Sequence, residues 1–213
     1  MTEEEARNWL DQQFSVSRET WERLELYVSL LLAGMAEQNL IAESTRPHLW
    51  ARHIVDSAQL LPLAERADEG LWIDLGSGAG LPAIVIGILS NRPVMMIESR
   101  RKRVEFLNHL IAELELDRCT IFGGRVEMAK ADNAAVISAR AYARLPRLLQ
   151  SAHHLSTEKT LWVLPKGRNA EIELEAAGSA WQGMFHVERS VTDADSAIIV
   201  AQAVAPRVRK GRG

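Results

Sequence analysis

Over the first 70 residues apolar side chains recur at three- and four-residue spacing, first Leu24, Tyr27, Val28, Leu31 and Leu32, then Ile54, Leu60 and Leu61 with His53 and Ser57 among them. That period predicts amphipathic helices. Thr45 and Pro47 mark the start of the later helix, since a cap hydroxyl and a first-turn proline both suit a helix N-terminus, and Pro62 ends or bends it. After residue 70 the pattern changes to short apolar runs at 71–75, 94–98, 119–123, 134–138 and 160–164, separated by amphipathic segments. The clearest of these, 101–115, sets Val104, Leu107, Leu110, Ile111 and Leu114 opposite Lys102, Glu105 and Glu113. Strands alternating with helices predict βαβ units and a doubly wound, mostly parallel sheet. Two further runs, 183–190 and 196–204, flank the polar turn Val191-Thr192-Asp193-Ala194-Asp195 and predict an antiparallel hairpin at the sheet edge. The expected fold is therefore α/β and Rossmann-like, a mostly parallel seven-stranded sheet with a C-terminal antiparallel hairpin. Its expected organisation is a helical extension over 1–70, a cofactor-binding domain over 71–206 and a basic tail over 207–213.

At 213 residues, with 47% hydrophobic and 25% charged side chains, the chain suits one domain with a small appendage. No apolar run approaches the roughly 18–20 residues of a membrane span. The acidic start Met1-Thr2-Glu3-Glu4-Glu5 is not a basic region followed by an apolar one. A cytoplasmic protein without a membrane partner is expected. The single cysteine, Cys119, excludes an internal disulfide framework, and its place in an apolar strand predicts a packed thiol. Net charge is −3, but unevenly spread: residues 1–70 hold 6 basic and 13 acidic side chains and the remainder 19 and 15. Basic clusters at Arg100, Arg101, Lys102 and Arg103, at Arg140, Arg144 and Arg147, and at Lys166 and Arg168 follow predicted strand ends. The carboxyl edge of an open α/β sheet is where ligands bind, so these positions are expected to surround one mouth and attract phosphates.

The segment Leu71-Trp72-Ile73-Asp74-Leu75-Gly76-Ser77-Gly78-Ala79-Gly80 is an apolar strand ending in an acid and opening into alternating glycines. Glycines there let the backbone turn tightly and keep Cβ atoms out of a ligand's path. Glu98, 22 residues after Gly76 at the end of the second strand, is placed to accept hydrogen bonds from both ribose hydroxyls of an adenosine cofactor. The glycines fit two cofactors, since Gly78-x-Gly80-x-x-Ala83 satisfies a permissive dinucleotide fingerprint and Asp74-x-Gly76-x-Gly78-x-Gly80 suits S-adenosylmethionine. A carboxylate at Asp74 repels a pyrophosphate and tolerates a cationic sulfonium, which favours S-adenosylmethionine.

Several chemistries are missing their signatures. No Walker loop is present, Ser77 lacks a Gly-x-Ser-x-Gly frame, and no Asn-Pro-Pro-Tyr or Pro-Cys segment follows the fourth strand. Adjacent His153 and His154 diverge on a helix, and His48 and His53 miss the four-residue spacing of paired ligands, so no metal is expected. The scattered tryptophans read as packing. At the end of the fourth strand stands Ser138-Ala139-Arg140-Ala141, where Arg140 is the candidate to face the reacting groups, and Lys166-Gly167 closes the fifth, where a cation is placed to clamp an acceptor phosphate.

Together these residues resemble the ribosomal RNA small subunit methyltransferase G family, also called glucose-inhibited division protein B. The resemblance runs through Asn39-Leu40, His53-Ile54-Val55-Asp56-Ser57, Asp74 to Pro82, Lys102-Arg103-Val104-Glu105-Phe106-Leu107, Arg125-Val126-Glu127, Ser138-Ala139-Arg140-Ala141 and Lys166-Gly167. It implies a class I methyltransferase fold and methyl transfer from S-adenosylmethionine to N7 of guanine 527 in bacterial 16S rRNA. Carried over, it places cofactor-binding positions at Gly76, Leu81, Val126, Glu127 and Arg140, beside Asp74, Gly78 and Glu98 from the loop itself. Arg140 is the expected catalytic residue, and Arg100, Arg101, Lys102, Arg144, Lys166 and Arg168 are the expected contacts to RNA. The expected partner is 16S rRNA or a small-subunit particle, met by a monomer. Two departures stand out: Leu81-Pro82-Ala83 replaces a frequent Phe-Pro-Gly, with Ala83 expected to crowd the cofactor slightly, and Asn39-Leu40-Ile41 replaces Asn-Leu-Thr. Read without the resemblance, a nicotinamide-dependent oxidoreductase and a non-catalytic RNA-binding protein remain alternatives.

Overall fold

A computed structural model describes residues 1–132 and 134–207. Five parallel strands, β1 (Trp72–Leu75), β2 (Val94–Glu98), β3 (Cys119–Gly123), β4 (Val136–Ser138) and β5 (Leu161–Lys166), join β6 (Trp181–Arg189) and β7 (Ala197–Pro206) in one sheet. Its order is β3-β2-β1-β4-β5-β7-β6, with β7 antiparallel to both β5 and β6. The chain reverses its direction of travel across the sheet between β1 and β4, so a crevice opens at their carboxyl ends. The basic tail expected over 207–213 lies outside the described residues, Arg207 apart.

Alternation along β1 sends Trp72 to one face and Ile73 to the other. The Trp72 face packs on α5 (Ala83–Leu89), α6 (Arg101–Glu113) and the N-terminal helices α1 (Glu3–Phe14) and α2 (Arg18–Gly34), with Leu10, Tyr27, Leu31, Ile84, Leu107 and Val136 in one core. The Ile73 face packs on α7 (Leu145–Ala152) and α8 (Ala170–Gly178) through Leu145, Leu148, Leu149 and Trp162. The helices of residues 1–70 thus share a continuous core with the sheet. Thr2 and Glu5 form a capping box that starts α1, and the Ser17 hydroxyl caps α2.

The region expected to begin a helix at Thr45 folds differently. A 3-10 helix, Glu43–His48, contains Pro47 and leads into a π-helix, Trp50–Val55, which continues as α3 (Asp56–Ala58) and α4 (Leu60–Leu63). The Thr45 hydroxyl donates back to the Ala42 carbonyl at 2.7 Å and meets His53 Nε2 at 2.7 Å, so it is not free to cap a helix. Cys119 is buried, and burial pushes its thiol up to about 11, the behaviour of a packing residue. Among the described residues no helix is long and apolar enough to cross a membrane.

Candidate active site

Parallel pairing puts Asp74 in register with Ser138 and Leu75 beside Ile97, so the ends of β1, β2 and β4 converge. Beyond β1 the backbone turns over through Gly76 (φ 68°), Gly78 (φ 57°) and Gly80 (φ 91°), a left-handed region open to glycine at little cost. Glu98 ties this turn in place: one carboxylate oxygen accepts from the Gly78 N–H at 3.0 Å, the other from the Arg100 N–H at 2.8 Å. Each oxygen keeps a second lone pair.

A cavity of about 260 Å³ opens against this turn, lined by Gly76, Ile97, Glu98, Val126, Glu127, Tyr142 and the cations Arg100, Arg103, Arg125 and Arg147. Its backbone rim, its carboxylate and the Val126 side chain match the demands of a nucleoside: glycine for close approach, an acid for hydroxyls and an apolar contact for a base. Gly76, Glu98, Val126 and Glu127 therefore stand together as expected.

Asp74, Gly78 and Leu81 do not line it, Gly78 acting instead through its N–H bond to Glu98. Asp74 is fully buried beneath the loop. Its Oδ1 accepts from the Ser138 hydroxyl at 2.8 Å, which in turn accepts from the Trp72 indole N–H at 2.9 Å, while Oδ2 has no partner. Burial raises its pKa to about 7. Leu81 is buried in the core shared with the N-terminal helices.

A second cavity, about 430 Å³, lies on the other side of Ala141 and Tyr142 and is lined by Arg52, Asp56, Arg140, Arg144, Lys166, Glu173 and Ser196 among others. Ala141 and Tyr142 line both cavities and form their common wall. Ala141 there takes a left-handed φ of 52°. Arg140, expected at the cofactor, lines this second cavity instead. Its Nη2 donates to His53 Nδ1 at 2.7 Å and to the Arg52 carbonyl at 3.2 Å, and its Nε lies 3.7 Å from Asp56 Oδ2. The cause is the π-helical segment, which carries Arg52 and His53, with Asp56 at the start of α3 directly after it, up to the end of β4.

The cations expected to meet RNA divide by their partners. Lys166 does not reach outward: its ammonium is buried, 2.8 Å from Glu173 and 2.9 Å from the Ala143 carbonyl, and Glu173 also accepts from the Leu145 N–H. It braces the wall. Arg168 pairs with Asp195 at 2.8 Å and Arg101 with Glu105 at 3.6 Å. Arg100, Lys102, Arg144 and Arg147 have no ion pair among the described residues.

Comparison with known proteins decides the family. The model of the family described as rRNA small subunit methyltransferase G matches residues 20–199. The ribosomal RNA small subunit methyltransferase G of Sphingopyxis alaskensis is 53% identical over 97% of this chain and 89% of its own length. That of Zymomonas mobilis is 51% identical over 99% and 98%. The chain belongs to the rRNA small subunit methyltransferase G family. The fold is that of class I methyltransferases: an O-methyltransferase from Bacillus cereus solved with SAH superposes with a TM-score of 0.60 at 14% identity, covering 92% of this chain and 96% of that one. The glycopeptide N-methyltransferase MtfA solved with S-adenosylmethionine gives 0.58 at 11%, covering 70% and 94%.

The oxidoreductase reading of the glycines falls with membership of the methyltransferase G family. The two departures from that family's motifs lie outside both cavities. Ala83 is buried at the start of α5 and packs into the core, so it does not crowd the cavity at Gly76. The Asn39 carbonyl accepts from Arg103 at 3.1 Å and Leu40 packs near Gly34, which makes the Asn39–Ile41 segment a brace between α2 and α6. Tyr142 had no expected role, and its one sequence signal was its position two residues past Arg140.

Proposed function

We propose that this protein transfers a methyl group from S-adenosylmethionine to N7 of guanine 527 in 16S rRNA. The observation that carries the reading is the pair of cavities sharing the Ala141–Tyr142 wall, one built for a nucleoside and one for an acceptor, in a chain of the methyltransferase G family. When bound, S-adenosylmethionine supplies a methyl group on a cationic sulfonium. Gly76, Glu98, Val126 and Glu127 hold it, with the Glu98 carboxylate, already oriented by two backbone N–H groups, facing the ribose. Guanine N7 offers an in-plane lone pair and carries no proton, so no side chain has to act as a base. The work of the site is positioning and exclusion of water, which supplies several kcal/mol when the reacting atoms are aligned. Arg140, at the acceptor cavity, orients the base, and Asp56 and Glu173 oppose the positive charge that the methylated guanine acquires. On the same reading the enzyme acts as a cytoplasmic monomer and without a metal.

The test is incubation of the protein with labelled S-adenosylmethionine and small-subunit RNA, or small subunits, from cells lacking this activity, followed by mapping of the label. Label at N7 of the one guanine supports the reading, and label on another base removes the target.

The unpaired cations give a second expectation. Each phosphate contact to single-stranded RNA contributes about 0.7 to the slope of log affinity against log salt. Replacing Arg100, Arg144 and Arg147 by Gln should therefore lower that slope by about 2, whereas Arg168→Gln, which removes an already paired cation, should leave it unchanged. Equal slopes in the triple variant and the parent would remove these three arginines from the RNA surface.

A further inference from the structure

We infer that His53, held in one neutral tautomer, is the positioning residue that fixes Arg140 at the acceptor cavity, which makes the N-terminal helical segment part of the acceptor site. The inference rests on the role given to Arg140 above.

The hydrogen bonds leave one proton arrangement. The Thr45 hydroxyl owns a single proton and gives it to the Ala42 carbonyl at 2.7 Å. It can then only accept at its 2.7 Å contact with His53 Nε2, so Nε2 carries a proton. On the other side of the ring, Arg140 Nη2 lies 2.7 Å from Nδ1. A guanidinium has no acceptor, so Nδ1 must be a bare lone pair. The ring is thus neutral and oriented at both ends, the backbone carbonyl of Arg52 adds a second acceptor for the same Nη2 at 3.2 Å, and Asp56 Oδ2 stands 3.7 Å from Nε. His53 is 3% exposed, so water does not compete for either bond.

Protonation of Nδ1 would break the bond and set an imidazolium against Arg140 with Arg52 close by; among the described residues Asp56 is the carboxylate in ion-pair range of the guanidinium, and the buried Asp74 also feels its charge. Burial first, then the charges of Arg140 and Arg52, push the His53 pKa down to about 3. The ring is therefore expected to stay a neutral acceptor between pH 5 and 8. The local cause is the π-helix Trp50–Val55, whose wider turn sets His53 beneath the end of β4. Asp56 in turn is fixed by Gln59 Nε2 at 2.9 Å and the Thr192 hydroxyl at 3.0 Å, so the guanidinium is gripped from a braced surface.

Two amides separate the ring's two contacts. In His53→Asn the amide oxygen stands near the place of Nδ1 and still accepts from Arg140, while the Thr45 contact is lost. In His53→Gln the amide stands near the place of Nε2, keeps Thr45 and leaves Arg140 without its acceptor. Methyl transfer to small-subunit RNA or subunits is measured for both, with Arg140→Ala alongside and with melting temperature and S-adenosylmethionine affinity as readouts of fold and cofactor site. Displacement of a positioned group by about 1 Å costs on the order of a hundredfold in rate, so kcat for the Gln variant is expected to fall by about that factor and the Asn variant to recover at least about tenfold of the loss. Cofactor affinity should be the same in both. Nitrogen NMR of the imidazole in the parent should show Nε2 protonated and Nδ1 bare between pH 5 and 8. Equal rates for Asn and Gln, or a proton on Nδ1, would overturn the inference while leaving the role of Arg140 intact. Undiminished methyl transfer by Arg140→Ala would remove that role and the inference with it.

Discussion

Gly76→Val is expected to weaken S-adenosylmethionine binding by at least about a hundredfold, close to 3 kcal/mol, while the protein still folds. Two effects combine. Gly76 holds φ at 68°, where an L side chain, and a β-branched one above all, is strained by about 1–2 kcal/mol. A Cβ at this position would also meet Tyr142 Cδ2 at 2.8 Å, so the ring must move. Tyr142 and Gly76 line the same 260 Å³ cavity, and both the displaced ring and the new methyl groups take up space in which a nucleoside has to fit. Strain lowers the melting temperature of the free protein, whereas lost volume lowers affinity, and calorimetric titration separates the two. Gly178→Ala, at the end of α8 with nothing within 4 Å of its added Cβ, is the control: it should leave affinity unchanged and, as a helical Gly→Ala change, raise the melting temperature slightly. An affinity for Gly76→Val within threefold of the parent's would mean that the glycine turn does not border the cofactor.

The sheet was legible in the sequence because its strands are buried on both faces. Trp72, Ile73, Asp74 and Leu75 are all inaccessible, so β1 had to be an unbroken run of apolar side chains apart from its terminal acid, and β2, β4 and β5 follow the same rule. The edge strand β6 begins at Trp181, two residues ahead of the expected run, because most of its side chains are exposed and carry little pattern. The loop residues Gly76 and Glu98 were legible since their spacing encodes a backbone requirement. Arg140 and Lys166 were found as positions but not as partners. Whether a guanidinium faces a ligand or an acid depends on what another segment brings to it, here Asp56 from the start of α3, His53 from the π-helix and Glu173 from α8. Those contacts span 84, 87 and 7 residues of chain, as read from the numbering, and no local periodicity registers the first two. The expected helix start at Thr45 failed for the same reason, since its hydroxyl is claimed by His53.

Asp74→Asn should stabilise the cofactor-free protein at pH 8 and do so much less at pH 5. The carboxyl is fully buried and burial raises its pKa from 3.8 to about 7. Below pH 4 folded and unfolded chains both hold the proton. Between about 4 and 7 the folded protein retains it and the unfolded chain releases it, so stability falls as pH rises through that window, and above 7 the whole cost is present. That cost is on the order of 4 kcal/mol, of which roughly 1.5 kcal/mol is already present at pH 5. Asparagine has the same shape and keeps an acceptor for the Ser138 hydroxyl, but cannot ionise. Its amide N–H₂ stands where Oδ2 has no partner, which takes back about 1 kcal/mol. The variant should therefore melt about 6–12 °C above the parent at pH 8 and only about 1–2 °C above it at pH 5. A costly acid under the glycine turn is explained if the charge has a use, and a cationic sulfonium above that turn would supply the compensating partner. S-adenosylmethionine should accordingly raise the parent's melting temperature more at pH 8 than at pH 5, and raise that of Asp74→Asn equally at both. If the two proteins differed by the same amount at every pH, Asp74 would not be the group that titrates, and the loop's acid would act through its hydrogen bond to Ser138 alone.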